Sequence, residues 1–349
     1  MSPDIARSSS AGVDEAYSNR GSDCGLIVTG ATGWIGRAVV AHARSQGRVV
    51  VGAGRQVANS PSETVARFDL GDPESAIASR LEKYLHTASS WALIHCAGLA
   101  HVKVEDRASR DVMHRINVDG TARMAKVCST LGVRRFVQAS TIAVYDWGSG
   151  EPHVARDETG RVGPSTAYGA TKLAAERIAE QSGLDVRIVR LATVFGTGDR
   201  ANFFRLAKAI RRRRFVIPGR GDQRKSCIDV DSASRTLIAI AGMPDPAHRL
   251  VNVAFSEAPT LAEISQTLAG VCGVSPPSHM PEILLRAAAW CGSRAASLGL
   301  PAPLASSDLT KLCAWTWVDA SRAIEMFPEL RSRTFVDAMR QAAQHYREC

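Results

Sequence analysis

Apolar and polar positions along the chain alternate between two periods. From Leu26 a short apolar run meets three glycines and then gives way to apolar residues at helical spacing until Gly47, all within "GLIVTGATGWIGRAVVAHARSQG". Short apolar runs bounded by turn residues predict buried strands, and a three-to-four spacing predicts an amphipathic helix. Further strands are predicted at "RVVVGAGR", "TVARFDLGD", "WALIHCAG", "RRFVQAST" and "LDVRIVRLAT", with amphipathic stretches between most of them. This alternation predicts an α/β fold, a Rossmann doubly wound parallel sheet with helices on both faces.

After Thr193 the texture changes. "VFGTGDRANFFRLAKAIRRRRFVIPGRGDQRKS" is Gly-rich, basic and irregular, and a short strand at "CIDV", a helix at "DSASRTLIAIAG" and a strand at "RLVNVA" follow. The rest reads as mostly helical, with an Ala/Leu-rich stretch from Glu282 to Leu300 whose Arg286, Arg294 and two glycines suit a packed helix pair. The expected organisation is a loose polar leader over 1–23, a dinucleotide-binding domain over 24–192 plus 228–256, and a smaller, mostly helical substrate-binding domain over 193–227 plus 257–349.

Composition adds exclusions more than assignments. At 349 residues, 45% apolar and 22% charged, the chain is long enough for a large core and unlike a disordered or fibrous protein. No apolar run approaches the ~18 residues of a membrane span, and Met1 to Asp23 lacks the apolar centre of a signal peptide, so a cytoplasmic location is the default. Eight scattered cysteines without a Cys-x-x-Cys or a nearby His at ligand spacing predict reduced thiols and no metal site. The formal charge of +9 suits nucleic acid, an acidic membrane surface or a small polyanionic ligand and does not choose among them; Arg211 to Arg214 lack interleaved aromatics, which disfavours nucleic acid and leaves a solvated helix end.

"TGATGWIG" sets Gly30, Gly33 and Gly36, with Thr32, Trp34 and Ile35 among them, between a strand and a helix. Unpaired helix N–H groups and residues without side chains admit a pyrophosphate there, so a dinucleotide is expected. Binding of NAD's ribose calls for a carboxylate about 20 residues on. Gly52, Ala53 and Gly54 supply none, whereas Arg55 can pair with a 2′-phosphate, so NADP is preferred over NAD. Asp69 and Leu70, after the third strand, are placed for the adenine edge, although Asp69 also suits a plain turn.

"STAYGATKLAAE" puts Tyr168 and Lys172 four residues apart on one helix face. A phenol near pKa 10 is a poor base, but a cationic Lys172 beside it, with a positively charged nicotinamide nearby, favours the phenolate and makes Tyr168 the candidate acid/base.

Together, "TGATGWIG", "FDLGD", "HCAG", "INVDGT", "ASTIAVY", "YGATK" and "RLATVFG" resemble the extended short-chain dehydrogenase/reductases, in the nucleotide-sugar epimerase/dehydratase branch, over nearly everything after Cys24. The resemblance implies Tyr168 as proton carrier, Lys172 on the nicotinamide ribose and Thr141 as the hydroxyl on the reacting oxygen, with Ser140 as alternative. It further implies Asn117 as support for the lysine, and Cys96, Ala97 and Gly98 as a backbone wall by the nicotinamide. Asn202, Arg224 and Lys225 match substrate-diphosphate positions, and Thr193 stands where the epimerases have Asn. Ile142 and Ala143 replace the Asp-Glu pair of the dehydratases, which disfavours dehydration.

The expected activity is 4-keto reduction of a nucleotide sugar, with 4-epimerisation as the alternative, in polysaccharide or glycoside synthesis. A hydroxysteroid-type dehydrogenase would need fewer basic groups in the cap, and a dinucleotide sensor typically loses the Tyr and Lys. The resemblance also implies a homodimer through the helix carrying Tyr168 and the helix before it; apolar Ala170, Leu173 and Ala174 permit this.

Overall fold

The computed structural model describes residues 24–55, 64–100, 106–148, 153–297 and 306–349. The expected leader lies outside the described residues. Seven parallel strands form one sheet in the order β10-β6-β5-β4-β1-β2-β3. They are β1 (Cys24–Thr29), β2 (Val50–Gly54), β3 (Val65–Arg67), β4 (Ser90–His95), β5 (Arg135–Thr141), β6 (Asp185–Leu191) and β10 (Leu250–Val253). The order doubles back at β1, where β4 pairs with it on the side opposite β2. Ligands of open α/β sheets bind at such a reversal, beyond the carboxyl ends of the strands.

The two faces of the sheet read directly from alternate side chains. Leu26, Val28, Ile94 and Val137 point to one core, with Val39 and Val40 of α1 (Trp34–Ser45) and Leu237 and Ile238 of α7 (Val230–Gly242). Ile27, Leu93 and Phe136 point to the other. There they meet Ile77 and Leu81 of α2 (Glu74–Glu82), Met124 and Val127 of α4 (Gly120–Thr130), and Ala179 of α5 (Ala167–Glu180). Each such buried aliphatic or aromatic side chain contributes about 1.5–3 kcal/mol. Helix α3 (Arg107–His114) runs through a π-helical turn, Arg115–Asp119, into α4.

Beyond β6 the chain forms two small parallel pairs: β7 (Thr193–Phe195) with β9 (Cys227–Asp229), and β8 (Ile217–Pro218) with β11 (His279–Met280). Among them lie α6 (Asn202–Arg211), α8 (Leu261–Cys272), α9 (Glu282–Ser297) and α10 (Ser306–Cys313). Helix α9 was expected to reach Leu300, but residues 298–305 lie outside the described set. The chain closes with α11 (Ser321–Met326), α12 (Glu329–Ser332), α13 (Phe335–Gln341) and α14 (Ala343–Arg347). The Tyr346 hydroxyl accepts the Gly196 N–H at 2.9 Å, tying the last helix to the end of β7. No described helix is long and apolar enough to cross a membrane.

Candidate active site

The glycine turn is built by exclusion of side chains. Gly30 has φ +69°, and a Cβ there would lie 2.7 Å from the Ala97 nitrogen. The turn thus rests on the Cys96–Ala97 backbone, and the Ala97 N–H also donates to the Thr29 hydroxyl at 3.3 Å. A Cβ on Gly36 would run into the Gly30 carbonyl oxygen. Gly33 is the extended N-cap of α1, with no side-chain cap and no acidic residue in the first turn. Open N–H groups, a positive dipole end and three missing Cβ atoms fit a dinucleotide pyrophosphate. Thr32 reaches towards Gly54 at the end of β2, Ile35 packs on the core, and the Trp34 indole donates to the Thr197 carbonyl at 2.8 Å.

Beyond the ends of β2 and β3 a cavity of about 520 Å³ is lined by Arg55, Arg67, Phe68, Asp69, Asp72 and Arg80. The Arg55 side chain is 75% exposed and stands 3.8 Å from Asp69. Arg67 donates to the Arg55 carbonyl at 3.2 Å, and Arg80 pairs with Asp72 at 2.5 Å. Asp69 makes the turn of its alternative reading, accepting the Gly71 N–H at 2.7 Å. Leu70 fills the space under Gly120, whose added Cβ would come within 2.9 Å of it. Arg67 and Arg80 were not singled out in the sequence, because their place beside Arg55 depends on strand pairing and on the turn after β3.

Helix α5 begins at Thr166, whose hydroxyl caps the Gly169 N–H at 3.1 Å. A Cβ on Gly169 would strike the Ala143 carbonyl, so the absence of a side chain lets α5 lie against the 3₁₀ turn Ile142–Val144 after β5. That approach brings the Tyr168 phenol beside the Thr141 hydroxyl, which lowers the phenol's pKa. The Thr141 oxygen also accepts the Ala143 N–H at 3.2 Å. Asn117 sits in the π-helical turn, where it accepts the Leu99 N–H at 2.6 Å and donates to the Leu99 carbonyl at 3.1 Å and the Thr171 hydroxyl at 2.9 Å. It thereby binds the loop after β4 to α5. A Cβ on Gly98 would meet Asn117 at 3.3 Å and Lys172 Nζ at 3.9 Å. The segment Cys96–Gly98 therefore has the glycine turn on one side and Lys172 on the other.

Burial pushes the Tyr168 phenol up to about 12, with Thr141 lowering it. A desolvated phenolate is costly. Lys172 itself is lowered to about 8 by burial, opposed by Cys96 and Glu176. The Cys96 thiol is pushed up to about 12 by burial and stays protonated. His95, bonded to the Thr29 and Thr121 hydroxyls at 2.7 and 3.2 Å, is held neutral, at about 3, by burial and by Lys172.

Of the two candidate hydroxyls at the end of β5, Thr141 is the one beside the tyrosine. Ser140 is buried and donates to Glu176, because successive strand residues point to opposite faces. The candidate substrate residues are dispersed over the chain beyond β6. Thr193 opens β7, and Asn202 is exposed at the start of α6. The Arg224 guanidinium lies 5.2 Å over the Trp317 ring and donates to the Ala258 carbonyl at 2.9 Å. Lys225 is not open surface charge: it donates to the carbonyls of Lys311, at 3.0 Å, and Ala314, and burial lowers it to about 8. Its neighbours lie almost 90 residues away in the chain, beyond the reach of local pattern. The buried Glu176–Arg190 pair behind Ser140 was also missed, although Glu176 stands one helical turn from Lys172 and Arg190 interrupts an apolar strand.

Comparison with known proteins identifies relatives of this chain. The chain is 25% identical to the UDP-glucose 4-epimerase of Vibrio cholerae over 331 residues, 92% of this chain and 95% of that one. It is 28% identical to the dTDP-4-dehydrorhamnose reductase of Mycolicibacterium smegmatis over 180 residues, 51% of this chain and 48% of that one. The structure of MoeE5 in complex with UDP-glucose and NAD has the same fold, with a TM-score of 0.68 and 24% identity over 93% of this chain and 98% of its own. The sequence pattern of the NAD dependent epimerase/dehydratase family matches residues 26–254, well over half of the chain, which therefore belongs to that family.

Proposed function

We propose that this enzyme reduces the 4-keto group of a nucleotide-activated sugar, with NADP preferred over NAD. The observation that supports this reading is the placement of a buried Tyr168 phenol beside the Thr141 hydroxyl, on the helix that brings Lys172 to Gly98. A ketone oxygen that is becoming an alkoxide needs such a proton donor within hydrogen-bond reach. When bound, the cofactor supplies the hydride. The Thr141 hydroxyl holds the substrate oxygen, Tyr168 gives its proton to that oxygen, and the Lys172 ammonium stabilises the phenolate left behind. Lys172 also binds the nicotinamide ribose, and Asn117 keeps the loop after β4 against it. Ile142 and Ala143 carry no acid or base for eliminating water.

Gly30, Thr32, Gly33, Trp34, Ile35 and Gly36 would hold the pyrophosphate, and Cys96, Ala97 and Gly98 would wall the nicotinamide. Arg55, with Arg67 and Arg80 around one cavity and no carboxylate on the end of β2, supports NADP. Leu70 and Asp69 would border the adenine. The nucleoside diphosphate would meet Thr193, Asn202 and Arg224 in a substrate lobe made of 193–227 and 257–349; Lys225 would act there by fixing the end of α10. We also propose a homodimer through α4 and α5, where Ala170 is exposed and Leu173 and Ala174 are half-buried. Light scattering of Leu173→Glu should then report a monomer.

A second reading, nucleotide-sugar 4-epimerisation, is favoured by the near-full-length similarity to the Vibrio cholerae epimerase. One experiment separates the two: purified protein is given a UDP- or dTDP-4-keto sugar and stereospecifically deuterated NADPH. Stoichiometric oxidation with deuterium at C4 of the product is expected. Copurified NAD, with interconversion of UDP-glucose and UDP-galactose and no net cofactor turnover, would replace reduction by epimerisation.

A further inference from the structure

Behind Thr141 and Lys172 lies a buried polar network that none of the steps above uses. Glu176 is 2% exposed and Arg190, on β6, 5%. Arg190 clasps the carboxylate through Nη2 at 2.8 Å and Nε at 3.1 and 3.3 Å, and the Ser140 hydroxyl donates to it as well. Arg190 continues to the Tyr145 hydroxyl at 3.0 Å, which donates to Asn252 at 2.8 Å. Burial works against the charge of Arg190, yet the pairing with Glu176 outweighs it and raises its pKa. Three elements thus meet at one carboxylate: β5 through Ser140, β6 through Arg190 and α5 through Glu176.

A buried ion pair is weak evidence for stability, since apolar residues of similar volume often serve as well. Its value here lies in what adjoins each partner. Ser140 is the immediate neighbour of Thr141, so the Ser140–Glu176 bond fixes where β5 ends relative to the helix carrying Tyr168. Glu176 lies one turn from Lys172 on the same helix. The groups acting on Lys172 from packed elements are His95 and Cys96 at the end of β4 and Glu176 on α5, while Asn117 and Gly98 are neutral. Of these, Glu176 is the carboxylate, and it is held in an ion pair with Arg190 at 2.8 Å.

We propose that Glu176, clasped by Arg190 and Ser140, is a positioning residue that keeps the Lys172 ammonium charged and holds Thr141 in register with Tyr168. It rests on the Tyr168–Lys172 reading above and extends it to the electrostatics behind the site.

The test follows the titration of Lys172 by ¹³Cε lysine NMR, assigned with Lys172→Met, alongside the pH profile of NADPH-dependent turnover. In Glu176→Gln the Lys172 titration and the alkaline limb of kcat should both move down by at least about one pH unit, tenfold in the protonation equilibrium. KM for the nucleotide sugar should stay within a few-fold. Glu176→Gln/Arg190→Gln, which removes the cation left unpaired, should regain thermal stability while Lys172 stays displaced. An unmoved titration in Glu176→Gln, or its full restoration in the double variant, would overturn the proposal and leave a purely structural ion pair. Tyr168→Phe keeps the two levels apart. Retained turnover there removes the underlying reading, whereas a dead Tyr168→Phe beside an unmoved Lys172 titration removes this proposal alone.

Discussion

Tyr168, Thr141 and Lys172 concentrate the chemistry in few atoms, so single-atom changes are informative. Tyr168→Phe deletes the proton and leaves the ring, and kcat should fall by about 10²–10⁴-fold, the usual worth of general acid–base catalysis. Affinity for NADPH, measured by fluorescence titration, should be nearly unchanged. Gly36→Ala should act the other way. Its Cβ runs into the Gly30 carbonyl and deforms the turn, so cofactor binding weakens at least tenfold while the Thr141–Tyr168 pair stays in place. Loss of turnover with intact cofactor binding in Gly36→Ala would contradict the cradle assigned here.

At the scale of elements, the site depends on how closely α5 lies on the turn after β5. Gly169 sets that distance, since a Cβ would strike Ala143 and crowd Pro164. Gly169→Ala therefore overpacks the contact, with an expected cost of about 1–3 kcal/mol by urea unfolding. Because the helix shifts against Thr141, turnover should drop more than stability explains. A variant as active as the parent would show that the close approach serves packing alone. The π-helical turn Arg115–Asp119 plays the matching part across the cleft, where it sets Asn117 between the Leu99 backbone and Thr171.

For the whole molecule, acid should expose the cost of burying His95 at the point where β1, β4 and α4 meet. Its folded pKa of about 3 lies below the ordinary 6.5. Between those values the unfolded chain binds the extra proton, so stability is fully present above pH 6.5 and is lost as pH falls towards 3. The slope from this one group is at most about 1.4 kcal/mol per pH unit. Urea midpoints taken from pH 7 to pH 4 should fall accordingly, and His95→Gln should flatten the curve whatever its stability at pH 7. An equal slope in both proteins would assign the acid sensitivity to other groups.

Local pattern alone determined the strands and helices of the sheet, the glycine turn and the Tyr-Lys spacing on one helix face. These depend on periodicity and backbone freedom, which are written in neighbouring residues. Only the tertiary structure decided which of Ser140 and Thr141 meets Tyr168, because a strand's alternate faces acquire meaning when a helix packs on one of them. It also buried the Tyr168 phenol, since desolvation depends on everything that surrounds the hydroxyl. Likewise it tied Lys225 to carbonyls of α10 and the loop after it, and gathered Arg67 and Arg80 around Arg55. Those contacts join residues far apart in the chain, and no spacing rule reaches that distance.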